Sequence, residues 1–424
     1  MQSSPSSQKH LIQYTKDAVA RPSEQWILFK ISEMADEIQP QKAPPLDLPK
    51  GSETCELSII NTTCDLTVPS WTLTEPLIEG HQWLNLPTYS FHLKHGKSGK
   101  QVLFDLGSRK DWYNHPPSVV LVLDSHVPGN RVKKEIIEIL DEGGIDINDI
   151  NAFVLSHWHF DHCGDPSTLP NSVDMIVGPN FRSSFMPGYP TVKDSPFHEA
   201  AFEGRTVTEV EFSDKLKVGD FQAHDYFGDG SFYILNVPGH AVGHVSGLVR
   251  TTPDTFVFLG GDVCHFGGSF RPTKYIPMPS VIPPETRLDA RIKTPCPCTA
   301  FTAIHPDQNH ARTSPFYRAT TAEGSWYMDP PTAQKSINSL EAFDAHDDVL
   351  VAIAHDLAAM DNFTFFPQGT MNDWQRKKWK TACQWGFVNE LPYAGKPGRP
   401  FLADGLYKDG KMVKAIDPAA GTRH

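Results

Sequence analysis

The amino-acid sequence predicts a protein of mixed β-strands and α-helices, in the α+β class. Short β-rich runs follow one another from Cys55 onward: ELSIINT, then TYSFHLKH, then KQVLFDLGS. The segment VKKEIIEILDEGG places isoleucine and leucine side chains at helical spacing, and Gly143-Gly144 supplies a stop signal for that helix. With 424 residues, the chain is long enough for one large domain or two ordinary ones, with a sizeable core.

Changes in composition divide the chain into regions. Residues 1–50 end in the Pro-rich stretch QPQKAPPLDLPKG, which predicts an N-terminal arm and linker because proline interrupts helices and sheet ladders. Residues 51–360 are expected to form the folded domain, with a loop-rich insertion over about residues 265–345. Residues 361–424 are expected to form a C-terminal extension packed on the domain. It includes a helix over NDWQRKKWKTACQWGF with Asp373 as its N-cap.

Charge and hydropathy narrow the possible partners. The formal net charge is −12, and no basic stripe is present that would neutralise phosphates, so nucleic acid is not expected as a partner. The N-terminus lacks the apolar core of a secretory signal, and no later run approaches about 18 consecutive apolar residues. We therefore expect no membrane association and a cytoplasmic location. The seven scattered cysteines do not describe a disulfide framework, which agrees with this expectation.

The stretch SHWHFDH carries three histidines and an aspartate directly after the apolar run AFVL. A metal site needs neutral imidazoles and carboxylates about 2 Å from the ion, held by rigid backbone such as a strand end. His157 and His159, two positions apart, can face one ion, whereas Asp161 and His162 can turn toward a second position nearby. This motif therefore offers half of each of two metal sites.

The same rule locates further candidate ligands after three later strands. The run SFYILNVPGH ends on His240, TFVFLGGD ends on Asp262, and VLVAIAHD ends on His355. A single histidine is more often a packed or solvent-facing residue than a ligand. Seven candidate ligands on four strand ends favour a metal centre instead.

Together, HWHFDH, His240, Asp262 and His355 resemble the metallo-β-lactamase superfamily, and the PGH and GGD segments resemble its lactonase-like branch. The resemblance spans about residues 55–360 and implies a four-layer αββα sandwich, with metals at one edge between two β-sheets. It also implies a pair of zinc ions, with other divalent metals possible. The implied ligands are His157, His159 and His240 for the first ion, Asp161, His162 and His355 for the second, and Asp262 bridging both.

This resemblance implies a dinuclear zinc hydrolase in which a hydroxide bridging the metals opens a cyclic ester or amide, a lactone or lactam. Asp161 is expected to carry a proton to the leaving group. His159 stands where redox di-iron relatives carry glutamate, which favours hydrolysis. A thioesterase of the glyoxalase II or polyketide-releasing kind is the alternative. A phosphodiesterase or nuclease is less favoured because of the acidic balance, and a non-catalytic metal-binding protein because no ligand is missing.

His265 lies three positions after Asp262, where similar quorum-quenching lactonases carry a tyrosine that touches the substrate. His265 is accordingly a candidate catalytic residue, as a hydrogen-bond donor to the substrate carbonyl or as an acid; a supporting or loop role stays open. Aromatic residues of the insertion either form a lid over an apolar ring or acyl chain, or pack the insertion itself. They are Phe266, Phe270, Tyr275, Phe316, Trp326 and Tyr327. The expected partner is a small, partly apolar substrate molecule.

Overall fold

The structure is a computed structural model that describes residues 37–422, so most of the predicted N-terminal arm lies outside the described residues. From Gln39 onward the chain forms one compact unit. The strands are β1 (Cys55–Pro69), β2 (Thr74–Glu75), β3 (Trp83–His95), β4 (Gln101–Phe104), β5 (Gly129–Val132), β6 (Ile150–Val154), β7 (Asp174–Val177), β8 (Val207–Glu209), β9 (Lys217–Val218), β10 (Phe221–Asp225), β11 (Phe232–Asn236), β12 (Val245–Thr252), β13 (Thr255–Leu259), β14 (Arg318–Ala319), β15 (Val349–Ala352), β16 (Gly405–Lys408) and β17 (Lys411–Ala415). The α-helices are α1 (Pro117–His126), α2 (Ile136–Glu142), α3 (Phe160–Cys163), α4 (Phe181–Phe185), α5 (Thr299–Thr302), α6 (Pro330–Ala345), α7 (Leu357–Asn362) and α8 (Trp379–Cys383).

Two β-sheets are stacked face to face. One has nine strands in the order β17-β16-β5-β1-β3-β4-β6-β7-β8, and the other has six in the order β15-β13-β12-β11-β10-β9. The core between them is built from inward-facing apolar side chains, such as Ile59 and Phe104 of the first sheet and Phe232 and Val257 of the second. This face-to-face burial is the main apolar contact that holds the two sheets together.

Helices cover the outer face of each sheet. Helix α2 packs Ile136 and Leu140 onto the nine-stranded sheet, and Glu135 and Glu138 form a capping box at its N-terminus. Helix α6 covers the six-stranded sheet, where the Phe343 ring lies 4.9 Å from the Phe258 ring, measured between centroids. The helix–sheet–sheet–helix order confirms the expected αββα sandwich.

The three β-rich runs and the helix before Gly143-Gly144 are confirmed as β1, β3, β4 and α2. The prediction of a long helix over NDWQRKKWKTACQWGF is wrong, because helix α8 spans only Trp379–Cys383. Residues 371–378 instead form turns that bury Met371 and Trp374 in the core between the sheets, and Lys378 adopts a φ of +55°. Asp373 pairs with Arg376 and Lys377 rather than capping a helix. Core packing here overrides local helix propensity.

The insertion and the C-terminal extension both contribute regular structure. Residues 265–345 are mainly turns and short helices, but they end in the sixteen-residue helix α6, which their composition does not predict. The C-terminal extension supplies β16 and β17, which lengthen the nine-stranded sheet beyond β5. Within residues 37–422, no helix combines the length and apolar character needed to span a bilayer.

Candidate metal centre

The candidate ligands lie at the edge of the sandwich where four strands end. The HWHFDH motif follows β6 and leads into α3, whereas His240, Asp262 and His355 follow β11, β13 and β15. Strands β13 and β15 are parallel neighbours, so Asp262 and His355 leave the same edge of the six-stranded sheet. The structure therefore brings together all seven residues predicted from the sequence, in two groups that share the space around Asp262. A third group overlaps them and joins Asp262 and His355 to His265.

The first group consists of His157, His159, His240 and Asp262. His240 Nε2 lies 3.2 Å from His157 Nε2, 3.0 Å from His159 Nδ1 and 3.4 Å from Asp262 Oδ2. His157 Nε2 lies 3.5 Å from the same carboxylate oxygen. Four ligand atoms placed tetrahedrally about 2.0–2.1 Å from a zinc ion are roughly 3.3 Å apart, so these separations fit one tetrahedral ion.

The second group consists of Asp161, His162 and His355. Asp161 Oδ2 lies 3.6 Å from Nε2 of both histidines. Asp262 Oδ1 lies 3.0 Å from His162 Nε2 and 3.1 Å from His355 Nε2. Asp262 therefore presents one oxygen to each group, which is the arrangement needed for a carboxylate shared by two cations.

Hydrogen bonds outside the two groups fix how the ligand histidines present their lone pairs. Asp105 Oδ2 lies 2.9 Å from His162 Nδ1, and the Pro87 carbonyl lies 2.9 Å from His355 Nδ1. Both partners are acceptors, so each Nδ1 carries the proton and each Nε2 presents its lone pair to the site. Asp105 also accepts bonds from the Ser156 backbone N–H at 2.7 Å and from Ser156 Oγ at 2.8 Å.

Asp105 is a functional candidate that the sequence reasoning missed. It directly follows strand β4, in the segment LFDLGS. The search for an ionisable side chain just beyond a buried strand, which located His240, Asp262 and His355, would have found it. Its backbone φ of +63° is one that aspartate and asparagine adopt more readily than most residues. The position is therefore suited to a carboxylate that braces His162.

The ionisation states of the buried groups favour a bound cation. Burial lowers the pKa of His157 and His240 well below the ordinary value, and that of His159 to about 3, so these imidazoles are neutral. Although burial opposes ionisation of Asp262, the facing imidazoles of His162 and His355 lower the pKa of its carboxyl, which is ionised. Burial opposes protonation of His162 and His355 as well, but the facing carboxylates of Asp262 and Asp161 raise the pKa of both imidazoles. Zinc binds the neutral imidazole and the ionised carboxylate, so its binding would displace the proton from Nε2 of each of these two histidines.

Two atoms at the centre also lack the hydrogen bonds that burial normally demands. His162 Nε2 and Asp262 Oδ1 are both buried, and neither has a hydrogen-bond partner of suitable geometry among the described residues. An unpartnered buried polar atom is costly, whereas coordination of a cation would satisfy both. The donor set, its spacing and these two atoms therefore fit a pair of divalent metal ions.

His244 supports the centre without joining either group. Its Nδ1 donates to the Val237 carbonyl at 2.8 Å, so its Nε2 is an acceptor and takes the backbone N–H of Asp262 at 3.0 Å. Burial lowers the pKa of His244 to about 4, which keeps this neutral form. His244 thus holds the backbone of the shared carboxylate in place.

His265 and Tyr327 form a buried pair beside Asp262. His265 Nε2 lies 3.0 Å from Asp262 Oδ2, and its Nδ1 lies 3.1 Å from the Tyr327 hydroxyl. An ionised carboxylate only accepts hydrogen bonds, so Nε2 carries the proton, Nδ1 accepts, and the Tyr327 hydroxyl donates. Burial raises the pKa of Tyr327 well above its ordinary value, so the phenol keeps its proton. His265 therefore presents an N–H, not a lone pair, to the metal centre.

A cavity of about 290 Å³ opens beside the two groups. Its polar lining includes the candidate site residues His159, Asp161, Asp262, His265 and His355. The apolar lining residues are Leu66, Leu86, Val119, Val122, Val127, Trp158, Phe160, Pro196 and Trp326. Any substrate must therefore approach the metal centre through a largely apolar chamber.

The aromatic residues of the insertion do not act together as a lid. Only Trp326 among them lines this cavity, and Tyr327 reaches the centre through His265. Phe266, Phe270 and Phe316 are buried in a core cluster that contains side chains of both sheets. Packing thus accounts for most of these residues.

Comparison with known proteins identifies the family. Residues 118–355 match the model of the metallo-beta-lactamase superfamily. The chain belongs to this superfamily. It is 40% identical over 357 residues to the gamma-lactamase FDB1 of Fusarium pseudograminearum, covering 82% of this chain and 85% of that protein. It is 38% identical over 360 residues to the metallo-hydrolase mfmC of Annulohypoxylon moriforme, covering 83% of this chain and 91% of that protein.

A solved structure of an N-acyl homoserine lactone hydrolase with the product N-hexanoyl-L-homoserine at its metal centre is also similar. It has a TM-score of 0.47 and 17% identity, and the match covers 76% of this chain and 100% of that one. Membership of the superfamily, together with the relatives named gamma-lactamase and metallo-hydrolase, makes the protein a hydrolase, and metal dependence is a property of this superfamily.

In this metallo-β-lactamase fold, the insertion holds the turn that carries His240. Gly239 has a φ of +121°, and a Cβ at that position would lie 2.1 Å from the backbone nitrogen of Ala333. The backbone N–H of Met328 donates to the His240 carbonyl at 2.9 Å, and that of Asp329 donates to the Gly239 carbonyl at 2.9 Å. Only glycine fits this close approach, and the insertion is therefore a structural part of the candidate metal centre.

Proposed function

We propose that this protein is a dinuclear zinc hydrolase that opens a small cyclic amide or ester, with γ-lactams as the first class to test. The observation that carries the proposal is the pair of donor groups that share Asp262 and open onto an apolar cavity. The relative named gamma-lactamase, at 40% identity over most of both chains, supports a cyclic amide as substrate.

In this proposal, His157, His159 and His240 would hold one zinc ion, Asp161, His162 and His355 would hold the other, and Asp262 would serve both. Bound zinc ions lower the pKa of water and polarise a carbonyl group. The protein holds the donors rigidly, since six of the seven are almost fully buried and His159 is half-buried. The apolar chamber excludes water around the reacting carbonyl, which strengthens every electrostatic contact there.

Asp161 is proposed as the proton carrier. Its carboxylate lines the cavity and is 5% exposed. Asp161 Oδ2 lies 3.6 Å from Nε2 of both histidines of its group, farther than the 3.0 and 3.1 Å of Asp262 Oδ1. We therefore assign Asp161 the transfer of a proton from the attacking water to the leaving nitrogen or oxygen.

This proton transfer favours an amide or ester over the thioesterase alternative. An amide nitrogen or an alkoxide leaves as a strong base and needs a proton, whereas a thiol of pKa about 8.5 leaves readily as a thiolate. In lactam hydrolysis, the C–N bond breaks, the water oxygen stays on the carbonyl carbon, and both water protons are retained in the amino acid formed. A carboxylate beside the metals would serve this reaction directly.

His265 is proposed as a donor to the substrate carbonyl. Its Nε2–H, which donates to Asp262 Oδ2 at 3.0 Å, would turn to the substrate carbonyl if a zinc ion took up that carboxylate oxygen, and the residue lines the cavity. A donor aimed at the oxygen that gains negative charge stabilises the transition state more than the ground state. Tyr327 would keep that N–H in place.

The test is hydrolysis of a matched panel by zinc-loaded protein: γ-lactams, γ-lactones, an acyl thioester and bis(p-nitrophenyl) phosphate. We expect lactam or lactone opening that is lost with EDTA and restored by zinc. Asp161→Asn should lower kcat by at least about a hundredfold even at free zinc high enough to fill both sites, with zinc content measured alongside, because asparagine cannot carry the proton. Turnover of the thioester or the phosphodiester alone would refute the cyclic amide or ester assignment.

A further inference from the structure

The cavity lining also has polar residues that belong neither to the proposed metal ligands nor to His265. They are Ser118 and Asp194. Ser118 belongs to helix α1, and its hydroxyl donates to the Ser195 carbonyl at 3.4 Å. Asp194 is therefore the one ionisable lining residue of the described chain that neither belongs to the proposed ligands nor contacts them.

The turn that carries Asp194 is held in place by its neighbours. Ser195 is 1% exposed, its hydroxyl donates to the Phe185 carbonyl at 2.8 Å, and its backbone N–H donates to the Val192 carbonyl at 3.1 Å. Pro196 and Phe197, which follow, are buried. The backbone of Asp194 is thus anchored although its side chain is exposed.

The charged side chains that line the cavity include carboxylates but, in the part of the chain that the structure describes, no lysine or arginine. Within residues 37–422, the Asp194 carboxylate also makes no hydrogen bond or ion pair of its own. A carboxylate with free acceptor positions in the cavity lining attracts hydrogen-bond donors and cations and repels anions. A substrate carboxylate beside Asp194 would meet no lysine or arginine of the described lining.

We propose that Asp194 determines substrate specificity by selecting cyclic amides that carry a hydrogen-bond donor or a positive charge remote from the ring carbonyl. The substrate would present its carbonyl to the metal centre and its donor to Asp194, with an apolar body between them against Val119, Val122 and Trp326. Substrates with a free carboxylate at the remote end are disfavoured. This inference rests on the proposed function.

The experiment uses four 1-phenyl-2-pyrrolidinones that differ only in the para substituent: aminomethyl, hydroxymethyl, methyl and carboxyl. Hydrolysis by the zinc-loaded full chain gives kcat/KM, and calorimetry gives the Kd of each compound. Asp194→Asn removes the charge and nearly preserves shape. Asp141→Asn removes an exposed charge from helix α2, outside the cavity lining, and serves as the matched control.

For the wild-type protein we expect tighter binding and higher kcat/KM for the aminomethyl compound than for the carboxyl compound. The ratio of kcat/KM for the aminomethyl compound to that for the carboxyl compound should fall about two- to fivefold in Asp194→Asn and in high salt. It should not change in Asp141→Asn. A preference for the carboxyl compound, or a ratio unchanged by Asp194→Asn, overturns the inference. If none of the lactams is opened but the binding order and its dependence on Asp194 persist, lactam hydrolysis fails and the charge selection stands.

Discussion

Replacement of Asp105 by asparagine tests whether the bracing of His162 controls metal binding. Asparagine has nearly the same shape and tolerates the backbone φ of +63°. Its oxygen can still accept from the Ser156 backbone N–H, a bond of 2.7 Å in the wild-type protein. The amide nitrogen, however, donates a hydrogen bond at the position where Asp105 Oδ2 accepts from His162 Nδ1.

The tautomer of His162 should therefore reverse. With a donor at 2.9 Å, Nδ1 becomes the acceptor and the proton moves to Nε2, which then has no lone pair for a metal ion. Loss of such a support typically lowers metal affinity about 10- to 100-fold, which corresponds to about 1.4–2.7 kcal/mol. The metal-free protein should lose about 1–3 kcal/mol of folding stability, since a charged acceptor of two buried hydrogen bonds is gone.

The assay is a zinc titration of the metal-free protein against a chromophoric chelator, with urea denaturation alongside. We expect one zinc equivalent to bind as in the wild-type protein and the second to weaken. The control is Asp165→Asn, because Asp165 pairs with Arg109 and contacts no proposed ligand. Two equivalents bound with wild-type affinity by Asp105→Asn would refute the reasoning.

Three further outcomes are expected. Tyr327→Phe should lower kcat about tenfold and shift the ¹⁵N resonances of His265 toward a mixture of tautomers, whereas Tyr317→Phe, which removes a hydroxyl bonded to His81, should do neither. EDTA should destabilise the protein by about 4 kcal/mol for each bound zinc ion, about 8 kcal/mol for two, relative to protein with free zinc at a thousandfold the Kd of each site, as measured by urea denaturation. Burial raises the pKa of Glu390 to about 8, so between about pH 4.5 and 8 the folded protein retains a proton that the unfolded chain releases. The contribution of Glu390 to the free energy of unfolding therefore falls by about 1.4 kcal/mol per pH unit as the pH rises through this range. The difference in unfolding free energy between wild type and Glu390→Gln should show this slope; no pH dependence in that difference would contradict the assignment.

The seven clustered residues could be predicted from the sequence for a local reason, whereas the αββα layering was implied by the resemblance to the metallo-β-lactamase superfamily. Each of the four strands β6, β11, β13 and β15 appears as a short apolar run, and candidate ligands follow within a few residues of its end, so the pattern is visible within about ten residues. Asp105 obeys the same rule and was overlooked. The prediction of a long C-terminal helix was wrong because the burial of Met371 and Trp374 depends on strands that are distant in the sequence.

The sequence by itself determined which side chains could bind metal and which strands would carry them, because ligand chemistry and strand hydrophobicity are properties of short segments. Only the tertiary structure decided how Asp262 divides its two oxygens between the donor groups, which tautomers His162 and His265 adopt, and that Asp194 lines the same cavity as Asp262 and His265. These features depend on distances between residues as much as 268 positions apart, such as His355 and Pro87, and distances of that kind arise only when the chain packs.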